Sequence, residues 1–127
     1  MDFVVDMVAA LDPVCVPFVP THGDNHPRNW LVDDDGVVRL IDFGQATFEW
    51  WGRDLLRMRV KDWLGRPDLR EAYLAGHGCE VSAQDEVLFR VREAHGALTV
   101  VFWARQHRDP EFEQSAFATL ARLGAPI

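Results

Sequence analysis

Along the chain, Phe3, Val4, Met7, Val8 and Leu11 recur at helical spacing and predict a short amphipathic helix, ended by Asp12-Pro13. Val14–Pro20 follows, extended by its prolines and unfit to be a central strand. It leads into Thr21-His22-Gly23-Asp24-Asn25-His26-Pro27-Arg28-Asn29, a polar stretch without periodicity, read as a loop. Two short apolar runs, Trp30–Val32 and Val37–Phe43, flank Asp33-Asp34-Asp35-Gly36 and predict a β-hairpin, since Asp-Gly between apolar runs favours a tight turn.

Beyond Gly44 the pattern predicts helix to the end of the chain. Leu55, Leu56, Val60, Trp63 and Leu64 form one stripe, closed by Gly65-Arg66-Pro67, and Asp68 is expected to cap a short helix through Leu74. Ser82 and Asp85 have capping-box spacing and open a long helix with Val87, Leu88, Val91, Leu98, Val101 and Phe102 inward. Asp109 then caps a last helix with Pro110 at its first position and Phe112, Ala116, Phe117, Leu120 and Leu123 inward. The fold class is α+β in a single domain, 1–127. Its parts are a lead-in helix and extended segment (1–20), a loop and hairpin (21–44), and a helical bundle (45–127).

Composition sharpens this picture. The 127 residues are 48% hydrophobic, enough for a buried core, and the net charge of −7 disfavours nucleic acid or an anionic membrane and suits a cationic partner. Cys15 and Cys79 stand alone and read as reduced thiols. No apolar run reaches membrane-spanning length, and the acidic N-terminal stretch does not resemble a signal peptide, so a cytoplasmic protein is expected.

The hairpin brings candidate chemistry together. With Asp35-Gly36 as a two-residue turn, paired positions sum to 71, and Asn29 faces Asp42 with Cβ atoms about 5 Å apart. An amide oxygen and a carboxylate so placed suit Mg²⁺ shared with substrate phosphates, and Asp24, kept off the metal, can take a proton from a hydroxyl nucleophile. His22-x-Asp24-x-His26 has the spacing of a transition-metal cluster, but the Asn29 and Asp42 oxygens call for a harder ion. Arg28 is either a phosphate contact or a solvated loop residue, and Trp30, Trp50 and Trp51 read as packing. Asp109, Glu111 and Glu113 suit a helix N-terminus as well as a cationic ligand.

His22-Gly23-Asp24-xxxx-Asn29-Trp30-Leu31-Val32, followed by Leu40-Ile41-Asp42-Phe43-Gly44, resembles the core of the aminoglycoside phosphotransferase family, within the protein-kinase-like fold. The resemblance implies the mainly helical C-terminal lobe of that fold. It implies transfer of the γ-phosphate of ATP to a hydroxyl of a small-molecule acceptor. Asp24 would be the catalytic base, Asn29 and Asp42 the magnesium holders, and His22, His26 and Asp54 supports, with Asp54 bracing the loop backbone. The glycine-rich loop and the phosphate-gripping lysine of the family's N-lobe have no match, Lys61 being the only lysine. Without that lobe, or a dimer partner in its place, the chain alone is expected to bind Mg-ATP weakly and to turn over little or nothing. The alternative is a remnant that binds a metal or a cationic small molecule without catalysis. The acceptor and its binding residues are not identified by the resemblance.

Overall fold

The computed structural model describes residues 16–124, and the predicted helix over Phe3–Leu11 lies outside them. The described residues fall into two compact units, 16–79 and 80–124. None of their helices is long and apolar enough to cross a membrane.

The first unit holds all the strands. β1 (Phe18–Thr21) pairs antiparallel with β4 (Thr47–Trp50), Phe18 opposite Trp50 and Thr21 opposite Thr47. β2 (Trp30–Val32) pairs with β3 (Val38–Leu40) as the hairpin. The expectation of helix directly after Gly44 is thus corrected. Thr47–Trp50 is extended because β1 offers it a ladder, and the Thr21 hydroxyl adds a bond to the Thr47 carbonyl at 3.0 Å.

The hairpin register is also corrected, by one residue. Trp30 faces Leu40 and Val32 faces Val38, so paired positions sum to 70, with a three-residue loop over Asp34, Asp35 and Gly36. A two-residue turn of the expected type needs positive φ at both central residues. Here, of Asp35 and Gly36, only Gly36 has it (φ 78°). Asp33 supplies the alternative: its Oδ1 accepts the Asp35 N–H at 3.2 Å and the Val37 N–H at 2.8 Å, while Gly36 N–H bonds the Asp33 carbonyl at 2.9 Å. The slip moves Asn29 from opposite Asp42 to opposite Ile41, whose N–H donates to the Asn29 carbonyl at 3.0 Å.

After β4 the chain makes a 3₁₀ turn over Trp51–Leu55 and a π-helical turn over Met58–Asp62, burying Leu55 and Met58 but leaving Leu64 half-exposed. Helix α1 (Pro67–His77) follows. Asp68 does not cap it: Arg66 is the capping position, Pro67 begins the helix, and both Asp68 carboxylate oxygens are taken by the Arg66 guanidinium at 2.9 and 2.7 Å. The helix runs past Leu74 to a left-handed Gly78.

The second unit is a pair of helices, α2 (Ala83–His107) and α3 (Pro110–Arg122). Both starts follow the sequence: Ser82 and Asp85 form a reciprocal capping box, and the Asp109 carboxylate accepts the Phe112 N–H at 3.0 Å ahead of Pro110. Ala94, Ala97 and Val101 pack with Ala116, Leu120 and Leu123 as a closed apolar core, flanked by Val100 and Phe117. Small residues on α2 let the helices approach, and Leu98 and Phe102, expected inward, are exposed instead. The Glu93 carboxylate, nearly fully buried, meets Arg122 at 3.1 Å.

Candidate functional site

Residues 21–29 are polar yet largely buried: Thr21, His22, Asn25, His26 and Asn29 are each at most 9% exposed. Burial of so many polar groups is tolerable only when each is hydrogen-bonded, and here the bonds fix the loop's shape. The Asp54 carboxylate, in the turn after β4, accepts the backbone N–H of His22 on Oδ2 at 2.7 Å and that of Gly23 on Oδ1 at 2.8 Å. Charge-assisted bonds of this kind are stronger than neutral ones. Gly23 has φ 80°, and a Cβ there would lie 2.1 Å from the Gln45 carbonyl oxygen, so only glycine lets the loop pass so close.

His22 ties the loop to the residues before Gly44. Its Nδ1 accepts the Asp24 N–H at 3.3 Å, which leaves Nε2 as the protonated nitrogen that donates to the Ile41 carbonyl at 2.8 Å. The ring also packs on Phe43, with centroids 4.5 Å apart. The Ile41 backbone is therefore held on both sides, its N–H by Asn29 and its carbonyl by His22. Asp42 follows directly, in the left-handed region at φ 62°, which Asp tolerates better than most residues. Among the described residues nothing donates to its carboxylate, which lies at the surface.

Asp24 sits among three donors. The Asn29 amide nitrogen bonds its carbonyl at 2.9 Å and its Oδ2 at 3.2 Å, His26 Nε2 lies 3.4 Å from its Oδ1, and Arg57 Nη1 lies 3.8 Å from the same oxygen. His26 Nδ1 is occupied by the Arg28 N–H at 3.2 Å, so its proton faces Asp24. With 40% of its side chain exposed, Asp24 keeps a solvent-facing edge for a further ligand. The Asn29 amide, having spent its nitrogen on Asp24, leaves Oδ1 uncommitted.

Sequence reasoning missed Arg57 and Asn25. Asn25 donates to the Tyr73 hydroxyl at 3.0 Å and accepts the Trp30 indole N–H at 2.7 Å. Contacts across 48 positions leave no local pattern to read. Arg28 is exposed, and Trp30 lies face to face with Tyr73 at 6.2 Å. Burial pushes the Tyr73 phenol up from its ordinary value, and the Asn25 bond opposes that.

No group of three or more His, Cys, Asp or Glu side chains among the described residues is set to hold a metal. Of the two residues expected to hold magnesium, Asn29 lies in the buried loop and Asp42 at the surface, one position beyond Ile41, the residue opposite Asn29.

The loop thus holds one half-exposed carboxylate, that of Asp24, within a buried polar network. The model of the phosphotransferase enzyme family (APH) matches residues 1–93 of the 127, and the chain belongs to that family. Neither the curated proteins nor the solved structures give a match.

Proposed function

We propose that the chain carries the acceptor-activating and metal-holding half of a kinase-like phosphotransferase, moving the γ-phosphoryl group of ATP to a hydroxyl of a small-molecule acceptor. The observation that carries this reading is the division of labour at Asn29. Its amide nitrogen fixes Asp24 while its amide oxygen is left for a cation, so one side chain couples the two functions.

In this reading Asp24 receives the acceptor hydroxyl on its exposed edge, orients it and takes its proton as the oxygen attacks. Asn29, His26 and Arg57 hold the carboxylate at the required angle, and Asp54 and His22 fix the backbone beneath it. Asn29 Oδ1 and Asp42 would hold magnesium, which would supply charge neutralisation on the nucleotide phosphates. The surplus of acidic residues, net charge −7, favours a cationic acceptor. A reducing cytoplasm suits Cys79 as a thiol.

Phosphorus NMR of the chain with Mg-ATP and a panel of cationic and neutral hydroxyl compounds tests this. Slow transfer is expected in the wild type, and Asp24→Asn lowers it by about 10²–10⁴-fold. Transfer that survives Asp24→Asn would contradict the assignment.

A further inference from the structure

We propose that Asn25 is a positioning residue for Asp24, acting as a clamp between the loop and helix α1 through Trp30 and Tyr73. The proposal rests on the reading of Asp24 given above and adds the device that holds it in register.

Asn25 is the residue directly after Asp24 and is only 7% exposed. Its two amide ends are assigned without ambiguity, because an indole N–H can only donate. The Trp30 Nε1–H therefore meets Asn25 Oδ1 at 2.7 Å, and Asn25 Nδ2 donates to the Tyr73 hydroxyl oxygen at 3.0 Å. Trp30 follows Asn29, so the Trp30 bond closes the loop from the far side of the 3₁₀ turn Pro27–Asn29. Tyr73 also contacts Trp63, with centroids 5.4 Å apart, and stacks on His77 at 6.1 Å, so the phenol that receives Asn25 is itself fixed in a group of rings.

Asp24 is thus restrained from two directions. Asn29 holds its carbonyl and carboxylate, and Asn25 holds the peptide that follows it. Without Asn25, the Trp30 indole N–H would lose its partner, and the Asp24–Asn25 peptide would be held only by the Asn29 bond to the Asp24 carbonyl. Residues 22 and 23 would stay in place, since Asp54 holds their N–H groups independently.

Residue-resolved amide hydrogen exchange on the whole chain separates positioning from general support. Asn25→Leu is expected to lower protection of the Asp24 N–H about tenfold, the worth of roughly one hydrogen bond, while His22, Gly23 and α1 keep theirs. Asn25→Asp should restore protection, its carboxylate accepting both the indole N–H and the Tyr73 hydroxyl. Tyr73 is the only tyrosine, so ultraviolet titration gives a second signature: loss of the Asn25 donor raises the phenol pKa further in Asn25→Leu. Uniform loss of protection, no loss at Asp24, an Asn25→Asp variant as loose as Asn25→Leu, or an unmoved tyrosine titration would each overturn the clamp. None of these readouts needs turnover, so transfer that survives Asp24→Asn would count against the proposed function and leave the clamp standing.

Discussion

The loop over residues 21–29 and the helix pair α2–α3 bury opposite kinds of residue. The loop buries Thr21, His22, Asn25, His26 and Asn29, while the helix pair buries alanine, valine, leucine and Phe89, with Glu93 as its one buried charge in the described residues. Apolar burial is non-directional and yields stability in proportion to area. A buried polar group yields little net stability but is costly when misplaced, so a satisfied network selects one geometry. The helix pair therefore supplies free energy, and the loop spends its bonds on the position of one carboxylate.

Three changes probe that contrast, in descending order of effect. Gly23→Ala would drive a Cβ into the Gln45 carbonyl at a residue with φ 80°. Neither backbone can yield, so a loss beyond about 4 kcal/mol is expected. Urea denaturation checks this, and a near-neutral Gly23→Ala would show that the loop is not held as tightly as its bonds imply. Leu120→Ala empties part of the α2–α3 core and should cost about 3 kcal/mol. Exchange protection of the Asp24 N–H below global unfolding should stay the same, and a matching loss at the loop would blur the distinction between stability and position.

The smallest effect concerns Tyr73. Its phenol is raised above the ordinary value near 10 by burial, so the folded chain retains this proton where the unfolded chain has lost it. The stability this contributes is present below about pH 10 and is lost as pH rises through the folded value. Tyr73→Phe should flatten the decline of the urea midpoint above pH 10, and an unchanged slope would assign the decline elsewhere.

The helix caps of the second unit were legible in the sequence. The capping box at Ser82 and the Asp109-Pro110 start both stand as read, because a cap needs only its own first turn. The hairpin was legible as an element but not in register. The Asp33 side chain, by taking two turn N–H groups, added one residue to the loop and moved Asn29 opposite Ile41. β4 was not legible, since Thr47–Trp50 is extended only against β1, about 29 residues earlier by register. Asp24, Asn29 and Asp42 were named from spacing, and Asp54 with its bonds to the loop backbone from the family resemblance, but the side chains around Asp24 were not foreseen as its partners. Arg57 and Tyr73 reach the loop through tertiary contacts that no periodicity encodes.

The central claim is that Asp24 and the Asn29–Asp42 pair have separate tasks, one acting on a hydroxyl and the other on a cation. Calorimetric titration of Mg²⁺ into the wild type, Asp24→Ala and Asp42→Ala tests it most directly. The account predicts that binding disappears in Asp42→Ala and persists in Asp24→Ala. Equal loss in both variants, or binding that survives Asp42→Ala, would contradict it.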